Sequence, residues 1–225
     1  MNDSVSQTVE ERLVQVPAGS VTLEGNLSLP EEARAIVLFA HGSGSSRHSP
    51  RNRYVARVLN EAKLATLLID LLTLDEEVVD ARTAQLRFDI ELLAERLVGA
   101  TDWLAQDPDT KQLRIGYFGA STGAAAALVA AAVRSDLVGA VVSRGGRPDL
   151  AGAALMHVRA PTLLIVGGND TQVIQLNREA LAQMRCEKQL VIVPGATHLF
   201  EERGALDEAA RLARDWFQRH LIPGA

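Results

Sequence analysis

The chain has 225 residues, 47% apolar and 23% charged, with 17 glycines and 8 prolines, which excludes a disordered or collagen-like chain. A formal net charge of −5, with no lysine or arginine run able to neutralise a row of phosphates, excludes nucleic acid as an expected partner. Cys186 has no second cysteine to pair with, Met1-Asn2-Asp3-Ser4 lacks the basic and apolar regions of a leader, and no apolar stretch reaches the ~18 residues that span a bilayer, so a cytoplasmic protein without a membrane partner is expected.

No composition break or internal repeat divides the sequence, and one domain behind a polar tail over residues 1–11 is expected. Residues 12–16 and 20–29 flank Pro17-Ala18-Gly19, and Val21, Leu23, Leu27 and Leu29 alternate with polar residues, predicting an antiparallel entry hairpin. From residue 35 the pattern becomes short continuous apolar runs, at 35–40, 64–69, 113–118, 137–142, 161–166 and 189–193, as expected of strands covered on both faces. Helical periodicity lies between them, over 51–62, 86–104, the alanine-rich 122–134, 172–184 and 206–220. The acidic residues Asp75, Glu76, Glu77 and Asp80 are expected in a solvated loop. This alternation predicts an α/β fold with a mainly parallel sheet, helices on both faces and ligands bound beyond the C-terminal strand ends.

The loops at those ends carry the chemistry. Gly119-Ala120-Ser121-Thr122-Gly123 stands between an apolar strand and an alanine-rich helix, the context a G-x-S-x-G nucleophile turn needs. The glycines let the turn tighten until Ser121 Oγ projects from the sheet, and the helix start behind it favours negative charge. The competing assignment is a serine that only caps the helix. A serine hydroxyl needs an oriented base, and of His41, His48, His157, His198 and His220, only His198 lies in a loop just past a late strand. Asp170, after Val166-Gly167-Gly168-Asn169, is placed to orient that histidine, although an aspartate there also suits a helix N-cap. Asp149 is the rival acid. His41-Gly42-Ser43-Gly44 follows an early strand and is positioned to supply one oxyanion donor, the Ser43 N–H with Gly44 as the fallback; the other is the Thr122 N–H. His41 is expected to hold this loop.

Together, G-A-S-T-G, V-G-G-N-D, P-G-A-T-H and H-G-S-G resemble the α/β-hydrolase superfamily and, within it, the dienelactone hydrolase-like group, over about residues 12–220. The resemblance implies an eight-stranded sheet, a Ser121–His198–Asp170 triad, an acyl-enzyme intermediate and no metal or other cofactor. Dienelactone hydrolases themselves use a cysteine where this chain has Ser121, so the expected activity is that of a serine hydrolase, a carboxylesterase for small to medium soluble acyl esters. A thioesterase or lactone hydrolase would use the same residues, and a non-catalytic small-molecule sensor or scaffold is the reading from another class. Arg47, Arg51, Arg144 and Arg147 lie in loops at strand ends, where they either bind a substrate carboxylate or tie loops together. Many relatives insert a lid after the strand that follows the elbow helix; only about residues 144–160 fill that interval here, so no lid domain is expected.

Overall fold

A computed structural model of the chain describes residues 9–222 and residue 224. Residues 1–8 of the expected tail lie outside the described residues. In chain order the elements are β1 (Glu11–Ala18), β2 (Val21–Ser28), β3 (Ala35–Ala40), α1 (Pro50–Glu61), β4 (Ala65–Ile69), α2 (Leu74–Thr83), α3 (Ile90–Gln106), β5 (Arg114–Ala120) and α4 (Thr122–Val133). They continue with β6 (Val138–Arg144), β7 (Thr162–Gly167), α5 (Thr171–Gln183), β8 (Lys188–Val193) and α6 (Ala205–Leu221), and short 3-10 helices lie at Leu86–Phe88 and Pro148–His157.

The eight strands form one sheet in the order β1-β2-β4-β3-β5-β6-β7-β8. The hairpin β1–β2 is antiparallel, β2 meets β4 antiparallel, and every pairing from β4 to β8 is parallel. The central strands are buried along their whole length because both faces are covered. Val55, Ala56 and Leu59 of α1 pack with Ala209, Ala213 and Phe217 of α6 on one face. On the other, Leu93 and Leu97 of α3 pack with Ala125–Leu128 of α4 and with Leu155. Alanine on nearly every side lets α4 sit at the centre of its layer, with nine of its residues buried.

The structure departs from expectation at one element. The acidic stretch forms α2 rather than a solvated loop. Thr73 Oγ1 accepts the Glu76 N–H at 3.2 Å and Glu76 Oε2 accepts the Thr73 N–H at 2.8 Å, a reciprocal capping box. Asp75, Glu76 and Glu77 then sit in the first turn, where the positive end of the helix dipole favours them. Glu76 Oε1 also accepts from Arg96 Nη2 of α3 at 2.7 Å, tying α2 to the body. The interval after β6 is occupied by the 3-10 segment Pro148–His157, and no lid domain is present among the described residues.

Candidate active site

The turn between β5 and α4 carries Ser121 at φ 50°, ψ −123°, a strained backbone for a residue with a side chain. Two glycines make room for it. A Cβ at position 119 would lie 2.4 Å from Ala124 Cα, and one at position 123 would lie 2.4 Å from both Ala40 O and His41 O. Ser121 occupies the N-cap position of α4 but makes no cap hydrogen bond, so its hydroxyl is not spent on the helix. Among the described residues the Thr122 N–H donates to no carbonyl, as expected at a first helical position.

His198 and Asp170 meet across the ends of β7 and β8, with His198 Nδ1 2.7 Å from Asp170 Oδ2. The aspartate side chain is 15% exposed and the histidine 39%. Asp170 is the N-cap residue of α5, yet its carboxylate makes no cap bond and turns to the imidazole instead. The two loops are fastened together by Asn169, whose N–H donates to Ala196 O at 2.9 Å and whose Nδ2 donates to Gly195 O at 2.8 Å. Thr197 is pinned from the other side by Glu202, through N–H at 3.0 Å and Oγ1 at 2.6 Å. Phe200, buried to 2% exposure, anchors the loop to the core. The rival acid Asp149 is occupied by a bidentate bond from Arg147, 2.8 Å at each oxygen.

Ser121 and His198 both border the exit of β6. The Ser121 N–H is 3.4 Å from Arg144 O, and a Cβ on the next residue, Gly145, would lie 3.0 Å from His198 O and 3.6 Å from its Nδ1. Asn177 of α5 holds this crossing, donating through Nδ2 to Gly146 O at 3.0 Å. It is fully buried, and nothing in the sequence marked it, because an asparagine on a helix ordinarily reads as solvent-facing. Among the described residues Ser121 Oγ forms no hydrogen bond, and the turn lies against the loop that follows β3, where a Cβ on Gly42 would come 3.0 Å from Ser121 Cβ.

That loop is built around His41. The Leu71 N–H donates to His41 Nε2 at 3.0 Å and His41 Nδ1 lies 3.0 Å from Gly42 O, so Nδ1 carries the hydrogen and the ring is neutral. Burial is the main cause holding His41 below the ordinary histidine value, against the Gly42 bond and the charge of Asp70. The unfolded chain takes up a proton below about 6.5 that the folded chain refuses, so stability is full above that pH and falls as pH drops through it. We expect the urea midpoint to decline below about pH 6.5 in the natural chain and less steeply in His41→Gln, measured by fluorescence-monitored unfolding across that range. Equal slopes would show that His41 is not the linked group.

The Ser43 N–H donates to Thr122 Oγ1 at 2.9 Å, an arrangement not visible in the sequence, so of the two expected oxyanion donors the Ser43 amide is occupied and the Thr122 amide is not. The four arginines separate into three situations. Arg47 is tied to Asp70 through its N–H at 2.7 Å and its side chain, to Glu24 Oε2 at 2.6 Å and to Asn26 Oδ1 at 2.9 Å, so it clamps the loop to β2 and β4. Arg147 is engaged by Asp149. Arg51 lies on a cleft of about 560 Å³ beside Gly42 and Ser43, whose far wall includes Glu77, Asp80 and Arg87 from α2 and the turn after it. Arg144 is buried. Among the described residues no group of three or more His, Cys, Asp or Glu side chains could hold a metal, and no helix is long and apolar enough to cross a membrane.

A parallel sheet with an antiparallel entry hairpin, a strained serine on the β5–α4 turn and a histidine–aspartate pair at the ends of β7 and β8 define the α/β hydrolases. More closely, the dienelactone hydrolase family model matches residues 31–221, and the chain belongs to that family. A crystal structure of a dienelactone hydrolase from Anabaena variabilis is 65% identical, superposes with a TM-score of 0.93, and matches over 95% of this chain and 99% of that one. An α/β serine hydrolase without a lid from Xanthomonas campestris, 19% identical, shares the fold with a TM-score of 0.74 over 97% of this chain and 98% of its own. A Mycobacterium tuberculosis protein provisionally named a phosphoribosyl transferase is 62% identical over 212 residues, which is 94% of this chain and 47% of that protein. The chain thus spans about half the length of the curated relatives it matches.

Proposed function

We propose that the chain is a serine hydrolase, a carboxylesterase that cleaves small to medium acyl esters through an acyl-enzyme intermediate. The observation that carries this reading is the Asp170 carboxylate, which leaves its own helix uncapped and binds His198 Nδ1 at 2.7 Å. That bond puts the hydrogen on Nδ1 and leaves Nε2 as the base. Nε2 takes the proton of Ser121 Oγ as the oxygen attacks the ester carbonyl, and Asp170 stabilises the imidazolium that forms. The Ser121–His198 contact closes as substrate binds, as such contacts commonly do. Collapse of the tetrahedral adduct returns the proton to the departing alcohol, and water repeats the cycle to release the acid. The Thr122 and Ser43 N–H groups receive the oxyanion, each contributing about 3 kcal/mol to the transition state.

Thioesters and lactones fit the same atoms and are separated from esters by a substrate panel. With the interval after β6 filled only by the 3-10 segment Pro148–His157, the site among the described residues favours soluble substrates over long lipid chains. The transferase name belongs to relatives about twice as long, whereas the hydrolase family model matches residues 31–221 of this chain. A fluorophosphonate probe tests the assignment directly. We expect a single phosphonyl adduct on the Ser121 peptide by mass spectrometry, lost on heat denaturation. An unlabelled native chain would favour the sensor or scaffold alternative.

A further inference from the structure

Among the described residues Arg144 carries a buried charge without a counter-ion. Its side chain is 7% exposed at the residue level and runs from the end of β6 to the first turn of α1, where Nη2 lies 3.4 Å from Asn52 Oδ1. Cζ stands 5.7 Å from the centre of the Phe200 ring, while Nε and Nη1 are buried with no hydrogen-bond partner among the described residues. Burial, and then Arg51 beside it, pull the guanidinium down to about 10. Arg51 itself meets only Glu201 among the described residues, at 3.4 Å and on a carboxylate 65% exposed, a solvent-screened contact that holds it weakly. A buried, unpaired ion is strongly destabilising, so a fold that keeps one has a use for it or a partner that arrives.

The head of α1 adds charge of the same sign. Pro50 has no N–H, the Asn52 N–H reaches Ser49 Oγ only at 3.4 Å, and the Arg51 N–H has no acceptor among the described residues. The aligned peptide dipoles add about half a positive charge there. This helix end opens on the 560 Å³ cleft, beside the hydroxyls of Ser45 and Ser46 and within reach of the oxyanion loop. The carboxylates Glu77 and Asp80 stand in the same cleft on α2, on the layer opposite α1, and Asp80 is already neutralised by Arg87.

We propose that the head of α1 is a phosphate subsite of the esterase site, contacted by the Arg51 side chain and N–H and by the Ser45 and Ser46 hydroxyls, with Arg144 behind them as the balancing charge. The Arg51 guanidinium and the helix start, with the buried Arg144 charge behind them, match a dianion, and the donors outnumber what the two oxygens of a carboxylate can use, whereas three phosphate oxygens take them all. The substrate class is then an acyl ester, thioester or lactone bearing a phosphate monoester, with Glu77 accepting hydroxyls at the other end. The phosphate assignment rests on the esterase reading only for the word substrate, and binding alone tests it.

Calorimetric titration of the full chain carrying Ser121→Ala, with inorganic phosphate, glycerol 3-phosphate, malonate and glycerol, separates the cases. We expect both phosphates to bind, glycerol not to bind, malonate to bind more weakly, and Kd for phosphate to rise about tenfold or more in Arg51→Gln and in Arg144→Met, with Arg144→Lys restoring most of the loss. No phosphate binding, malonate binding tighter than phosphate, or affinity unchanged in the variants overturns the proposal. Should Arg144→Met fail to fold, Arg51→Gln at its half-exposed position decides alone. On the natural chain, kcat/KM for an acetyl ester of glycerol phosphate should exceed that for the unphosphorylated acetyl ester by about tenfold, a ratio that collapses toward one in Arg51→Gln. A chain that binds phosphate as described but hydrolyses neither ester sinks the esterase reading and leaves the subsite standing.

Discussion

Replacing Ser121 with alanine is expected to lower kcat on a chromogenic butyrate ester by about 10⁴-fold or more, with the fold intact. The substitution keeps Cβ and so leaves the strained turn at φ 50° as it is. It removes one oxygen that, among the described residues, holds no hydrogen bond, and it leaves Asp170 and His198 in contact. Far-UV circular dichroism and the urea midpoint should therefore match the natural chain while turnover disappears. A variant that retains a tenth of the natural rate would mean that Ser121 is not the nucleophile, because His198 and the oxyanion donors alone cannot form an acyl-enzyme.

Gly123→Ala is expected to have the largest effect on stability, and its sign is opposite to the usual one. Alanine in place of a helical glycine ordinarily stabilises by about 0.5–1 kcal/mol. Here the added carbon would sit 2.4 Å from the carbonyl oxygens of Ala40 and His41, which are backbone atoms of β3 and its exit and cannot swing aside. Either α4 or the exit of β3 must move, and we expect a loss of roughly 3 kcal/mol or more in urea unfolding. Activity should fall with it, because the carbonyls displaced are followed directly by Gly42 and Ser43. Unchanged stability would show that α4 does not press on β3 as closely as described.

Much of the fold was legible because the central strands are covered on both faces. Burial on both sides writes a strand as an unbroken apolar run, and each of the six runs lies within two residues of its strand. The element that was not anticipated, α2, is acidic and leaves Leu74 and Val78 exposed at 70% and 62%, so hydrophobic periodicity is silent there. Its start was nevertheless present in Thr73-x-x-Glu76, a capping signature hidden by the acidic run around it. The site residues were legible as loop positions, but their competing uses were not. Whether Asp170 caps α5 or binds His198 depends on where a carboxylate turns, and the pairing of Ser43 with Thr122 joins residues 79 positions apart. Likewise four arginines alike in sequence become two ties, one cleft-lining cation and one buried charge only through the partners that the fold brings to them.

That Ser43–Thr122 bond changes what the resting site offers a substrate. The donor proposed for the oxyanion is already occupied by a neutral hydroxyl, and an ester carbonyl is a neutral acceptor too, so exchanging one for the other gains the bound substrate little. Once the carbonyl oxygen becomes an alkoxide, its hydrogen bond is charge-assisted and roughly twice as strong as the one to the threonine. On the proposed esterase reading the threonine hydroxyl is then a threshold, set between the ground state and the transition state: it would withhold the amide from the first and yield it to the second, so that the hydrogen bond would act on kcat rather than on KM.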